Sequence, residues 1–214
     1  NVGRIEYAYH RMALAAGIEM TECRLLEEGG RAHFMTRRFD RDAAGNKIHM
    51  QSLCALSHLD FRQIGAHDYA QLFLVADTPL DLGSAARAEL FRRMTFNVAA
   101  ANCDDHPKNF AFLLPQGGRW RLSPAYDVTH AHAPSSKWTH EHLMAVNGRR
   151  IGISRADVME VGERFAVPGA SDILNQVLEA TSTWPTFAYE ARLPEGTAQP
   201  IAADIETWSS PLRS

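Results

Sequence analysis

Apolar side chains near the start of the chain fall at Val2, Ile5, Tyr9, Met12, Ala13 and Ala16, with Gly17 where a helix would stop. Steps of three and four line one face of a helix, so an amphipathic helix is expected over residues 1–17. The period then changes. Residues 22–27 and 33–39 flank Glu28-Gly29-Gly30-Arg31, the composition of a tight turn between two strands. Asp42 to Asn46 reads as a polar loop, and His49 to Cys54 as the cap and first turn of a packing helix. Helical spacing dominates beyond it. Tyr69–Val75 and Ala85–Ala101 each place apolar residues on one face, with Asp81 or Ser84 positioned to cap the second. That second stripe (Leu90, Phe91, Met94, Val98, Ala101) is read as core, and it runs directly into Asn102. Asn147-Gly148 is a turn, Ser154 is expected to cap a helix through Phe165, and Ser171 or Asp172 to begin another that buries Ile173, Leu174, Val177 and Leu178. From Trp184 onward one or two further helices and a frayed end are expected.

The stretch from Asn102 to Asp127 has a different character. Phe110–Leu114 and Trp120–Leu122 are two short apolar strands around Pro115-Gln116-Gly117-Gly118-Arg119, and acidic groups stand at both ends of this hairpin. The fold class expected is mainly α with small β hairpins, of the α+β type.

Composition narrows the picture. A chain of 214 residues, 45% hydrophobic and 22% charged, can bury one sizeable core or two small ones. A net charge of −3 and a pI near 6.4 argue against a nucleic-acid surface spread over the domain, although Gly148-Arg149-Arg150 is a local basic patch. Cys23, Cys54 and Cys103 have neither pairing number nor metal spacing and are read as small buried residues in a reducing compartment. With no signal peptide and no apolar run of membrane-spanning length, a cytoplasmic protein without membrane association is expected. The chain begins at Asn1, and the expectation is that it forms part of a longer one.

The chemistry sits in the hairpin unit. Asp104, Asn109 five residues later and Asp127 after the hairpin are residue types that suit phosphoryl transfer. That reaction needs a carboxylate to orient and deprotonate a hydroxyl, and hard oxygen ligands to hold Mg²⁺ on nucleotide phosphates. Taken alone, Asp104-Asp105 beside Pro107 reads equally well as the end of the preceding helix. His130-Ala131-His132 and His140-Glu141-His142 offer donors for a borderline metal, but alternating residues in a loop need not converge; the segment reads as a mobile surface near the site, with His130 able to approach phosphate or substrate.

The whole phrase is more specific than its parts. Asp104-Asp105-His106-Pro107-Lys108-Asn109, followed by Ser123-Pro124-Ala125-Tyr126-Asp127, resembles the HipA family of toxin kinases, whose C-terminal domain carries Asp-x-His-x-Lys-Asn and then Ser-Pro-x-Tyr-Asp. Arg38-Phe39-Asp40-Arg41 is similar to the same family's hinge. The resemblance covers residues 1 to about 165. It implies a kinase-like C-lobe with part of the hinge and N-lobe: residues 1–45 as helix plus hairpin leading to the hinge, and 46–214 as a helical lobe with the catalytic loop at 102–127.

On that resemblance Asp104 would be the catalytic base, Asn109 and Asp127 the Mg²⁺ ligands, and His106 and Lys108 supports for the phosphate or the catalytic loop. Phe39 and Asp40 would contact ATP. Arg37 stands where some members carry Glu, so only backbone contacts to adenine are expected there. Glu6 would support the nucleotide site as the αC Glu of kinases does. The family also implies a HipB-like helix-turn-helix antitoxin as partner, DNA reached only through that antitoxin, and a protein substrate such as an aminoacyl-tRNA synthetase; glutamyl-tRNA synthetase is one in the family. No Gly-rich loop or strand lysine precedes the first helix in this sequence, so the isolated chain is expected to be weakly active or inactive. Two alternatives share the motif: a small-molecule phosphotransferase of the aminoglycoside or choline kinase type, and a non-catalytic partner-binding module.

Overall fold

The first apolar stripe becomes α1 (Val2–Ala15) in the computed structural model, which describes residues 1–214, and it buries Ala8, Tyr9, Met12 and Ala13. β1 (Cys23–Glu28) and β2 (Arg31–Thr36) then pair antiparallel, Glu28 opposite Arg31. Gly29 and Gly30 have φ of 56° and 76°, the positive pair that lets a two-residue turn match the twist of its strands. The hairpin lies so close to α1 that a Cβ on Gly3 would stand 2.5 Å from the Ala32 carbonyl oxygen.

β3 (His49–Ser52) leads into the single turn α2 (Leu53–Leu56). After β4 (His67–Asp68) come α3 (Tyr69–Asp77) and α4 (Gly83–Ala99). β5 (Ala111–Leu114), β6 (Arg121–Leu122) and β7 (Met144–Ala145) precede α5 (Arg155–Arg164), α6 (Ala170–Ser182), α7 (Trp184–Glu190) and α8 (Glu195–Ser209). A 3₁₀ turn at Ser210–Leu212 ends the chain's regular structure.

The expected helix cap at residues 49–54 is only partly realised. Ser52 does cap α2, its Oγ accepting from the Ala55 N–H, but His49–Ser52 is a strand. It pairs antiparallel with β5, which also pairs with β6, so the expected hairpin is two-thirds of a three-stranded sheet in the order β3-β5-β6. β4 and β7 pair in parallel. Neither Asp81 nor Ser84 caps α4: Asp81 is turned into the left-handed region (φ 49°), and the helix starts at Gly83 without a side-chain cap. Ser154 caps α5 as expected, in a capping box with Asp157.

The end of the chain is not frayed. Trp208, Ser209 and Leu212 are all buried, because the last turns of α8 close one side of the core. α1, α3, α4, α6, α7 and α8 share one contiguous apolar cluster. Tyr9 is its cross-link: the hydroxyl donates to the Ala100 carbonyl at 2.6 Å and the ring meets Trp184 edge-on at 5.3 Å. The C-terminal end of α4, which delivers the chain to Asn102, is thereby held from two sides. Cys103 is fully buried, whereas Cys23 and Cys54 are half-buried beside the carbonyls of Thr21 and Leu59, so only one cysteine is core.

Candidate active site

Ala101, in the left-handed region (φ 53°), turns the chain out of α4, and residues 102–106 run without regular structure to a 3₁₀ turn at Pro107–Asn109. Asp105 points inward and is 1% exposed, while the Asp104 side chain is 45% exposed. Asn109 closes the turn by donating its Nδ2 to the Asp104 carbonyl at 2.9 Å, which leaves its Oδ1 without a protein partner. His106 brings Nε2 to 3.7 Å from Asp104 Oδ1.

The other wall is Ser123–Asp127. Buried Arg93 of α4 donates Nε to Glu89 at 2.7 Å and Nη2 to the Ser123 carbonyl at 2.9 Å, fixing where the chain leaves β6. The Tyr126 hydroxyl donates to the Lys108 carbonyl, tying this segment to the 3₁₀ turn. Asp127 follows in the left-handed region (φ 56°), a conformation that Asp tolerates better than most residues and that concentrates at functional sites.

Asn109, Tyr126 and Asp127 line one small cavity, so the two walls meet there. Burial raises the Asp104 carboxyl above the usual carboxylate range; His106 and Lys108 oppose that shift, and the charges of Asp127 and Asp105 add to it. Burial and the Asp127 charge likewise raise Glu6, which puts this α1 side chain within electrostatic reach of Asp127.

The remaining predicted residues divide. Phe39 comes to the site, its ring 5.4 Å from that of Tyr126. Asp40 instead turns to its own neighbours: its carboxylate is ion-paired with Arg38 and, at 2.8 Å, with Arg41, and the bond from Arg38 holds it below the usual range. Lys108 lies over the Phe61 ring rather than extending free. A cleft of about 410 Å³ between Phe39, Ala86, Glu89, Trp120 and Leu122 shares only Phe39 with the predicted set, and Asp104, Asn109 and Asp127 do not line it.

As a metal site, Asn109 Oδ1 and the Asp127 carboxylate offer two hard oxygens. That suits Mg²⁺, which keeps waters and phosphate oxygens in its shell, and the lack of competing protein partners leaves both groups available. The histidine pairs behave otherwise. His130 Nε2 and His132 Nδ1 approach the two oxygens of Asp204 on α8, at 2.8 and 3.1 Å, and no group of three His, Cys, Asp or Glu side chains converges to hold a metal. The segment expected to be a mobile surface is instead fastened to α8.

The profile of the HipA-like C-terminal domain matches residues 1–185. The chain belongs to the HipA-like C-terminal domain family. A Haemophilus influenzae protein described as a candidate kinase is 29% identical over 136 residues, 57% of this HipA-like chain; the chain spans only 39% of that relative. Its fold is shared with HipA of Shewanella oneidensis MR-1, solved with HipB and operator DNA: TM-score 0.75, 17% identity, all of this chain and 57% of that one. The Helicobacter pylori proinflammatory kinase CtkA superposes with TM-score 0.62 at 11% identity, over 98% of this chain and 83% of its own. The fold is thus the mixed α and β architecture of HipA and of a kinase, with no helix long and apolar enough to cross a membrane.

Four residues around this HipA-like site have no role assigned from sequence: Asp105, Phe61, Tyr126 and Trp208. Asp105 and Tyr126 lie inside the motif, which is the signal that points to them. Phe61 sits in an aperiodic loop, and Trp208 in the stretch read as frayed.

Proposed function

We propose that this chain is the phosphoryl-transfer part of a HipA-like serine/threonine protein kinase, the toxin of a toxin–antitoxin pair, moving the γ-phosphate of ATP to a protein hydroxyl. One observation carries the reading: Asn109 is bonded to the backbone of Asp104, and the Tyr126 hydroxyl ties the segment that bears Asp127 to the same turn. Base and metal ligands thus stand on one rigid support.

In this reading Asp104 accepts the proton as the acceptor oxygen bonds to the γ-phosphorus and the bond to ADP breaks. Its raised pKa brings it nearer a neutral working pH, where a general base is most effective. His106 orients its carboxylate. Asn109 and Asp127 would hold Mg²⁺, which when bound supplies positive charge to the phosphates. Phe39 and Tyr126 offer an aromatic wall to the nucleotide, and Glu6 faces Asp127 from α1. The partner is a HipB-like antitoxin, which supplies any DNA contact; that the Shewanella HipA was solved with HipB and operator DNA supports this. The family resemblance makes an aminoacyl-tRNA synthetase the substrate class, and the cytoplasm the place of action.

Calorimetric titration of ATP, with and without Mg²⁺, into the chain and into Asp127→Asn tests the site. Mg²⁺-dependent binding that the variant loses is expected, and retention of that binding would overturn the metal assignment. Phosphate recovered on amino-alcohols and not on protein hydroxyls would overturn the acceptor class.

A further inference from the structure

The second aspartate of the motif is the most heavily hydrogen-bonded carboxylate in the molecule. Asp105 Oδ2 accepts from the Tyr69 hydroxyl at 2.8 Å and from His142 Nδ1 at 3.0 Å; Oδ1 accepts from the backbone N–H of Leu143 at 2.8 Å and of Met144 at 3.3 Å. Neither Lys nor Arg is among the partners. The network continues inward, because the Tyr69 hydroxyl accepts from Asn97 Nδ2, and Asn97 Oδ1 accepts from Asn102 Nδ2, both at 2.9 Å. It therefore starts and ends within the loop that presents Asp104, after passing through α4 and α3.

A buried carboxylate is expensive for a fold, since desolvating it costs more than packing an apolar side chain of similar size. Stability alone does not call for one here. What a carboxylate does that no apolar residue can is gather four donors from two distant parts of the chain onto one side chain. Those parts are the first residue of α3 and His142–Met144, where the long loop after Asp127 rejoins the core at β7. Asp104 and Asp105 share a peptide bond and point opposite ways, so fastening Asp105 inward fixes the direction of Asp104 outward.

We propose that Asp105 is a positioning residue for the transfer reaction: it locks residues 142–144 to the catalytic loop, so that the loop following Asp127 and the carboxylate of Asp104 hold one geometry. The proposal rests on the kinase reading above for its effect on turnover, but not for its effect on the chain.

The test is Asp105→Asn, which keeps the size and one oxygen acceptor but presents an amide where two donors converge. Hydrogen exchange, resolved by residue on the 214-residue chain, is expected to speed up by about tenfold or more at residues 104–109 and 142–145. Exchange in α4, and Mg²⁺·ATP affinity, stay within about twofold of the parent. Phosphoryl transfer falls by about tenfold or more with the nucleotide KM unchanged. Unaltered exchange in the two segments, or acceleration spread evenly over the chain, would overturn the proposal, the latter because it marks a contribution to global stability only. Wild-type turnover in the variant would overturn it as well. The isolated chain is expected to be weakly active or inactive, so absence of transfer from it does not count against the kinase reading, and the exchange pattern alone then decides the role of Asp105.

Discussion

Lys108 holds its ammonium group 3.4 Å above the centroid of the Phe61 ring, and His106 meets the same ring edge-on at 5.9 Å. One aromatic residue from the loop before β4 thus seats both basic side chains of the proposed catalytic motif. Phe61→Leu keeps the bulk and removes the π face. It is expected to cost about 0.5–1 kcal/mol of stability, the usual value of an exposed cation–π pair. Turnover should fall with unchanged Mg²⁺·ATP affinity. Thermal melts and steady-state kinetics check it; unchanged turnover would show that the seating of Lys108 does not matter to transfer.

Asp104→Asn removes the proposed base without changing shape. The carboxylate is partly exposed and its only close polar neighbour is His106, so the fold should survive by circular dichroism and melting. Transfer should drop by about 10²–10⁴-fold, the range for loss of a general base. A much smaller drop would assign the proton to another group.

Tyr9→Phe tests the brace behind the catalytic loop. The lost hydroxyl leaves the Ala100 carbonyl buried without its donor, which costs about 1–3 kcal/mol. For a chain of this size that lowers Tm by about 2–4 °C per kcal/mol. Differential scanning calorimetry reads it directly.

Acid stability should depend on the α5 cap. Burial alone would raise Asp157, but hydrogen bonds from Ser154 and Asn147 and the charge of Arg149 outweigh it and hold the carboxyl below its ordinary value. A depressed folded pKa means that the unfolded chain binds the proton more readily. The stabilisation is therefore complete above the unfolded value, about pH 4, and is lost as pH falls through the folded one. Asp157→Asn should flatten that part of the stability profile in urea titrations between about pH 5 and pH 2, the window set by ordinary carboxylates.

What could be read in the sequence follows from how local each signal is. α1, α4 and α6 are written in their own three- and four-residue periods, and the proposed catalytic unit is contiguous from Asn102 to Asp127, so its hairpin and its polar ends are visible together. Residues 49–52 carry the local signals of a helix start because the strand partner, β5, lies far downstream and no short-range pattern records the pairing. The histidines had the composition of a metal site, but their carboxylate, Asp204, sits more than seventy residues beyond His130, as the hydrogen bond between them records a separation of 74. Two adjacent aspartates look alike in sequence; only burial separates the exposed one from the one that faces the core.

α8 lies beyond residue 185, where the family profile ends, yet Trp208 covers Ala101 and Cys103 and meets His132 and His142 at 5.5 and 4.8 Å. Expression boundaries chosen from the profile would therefore cut away the lid over the apolar underside of residues 101–103. A chain shortened to residue 185 should come out insoluble or bind hydrophobic dyes, whereas one ending after Leu212 should purify as a folded monomeric unit or defined oligomer with that underside sealed.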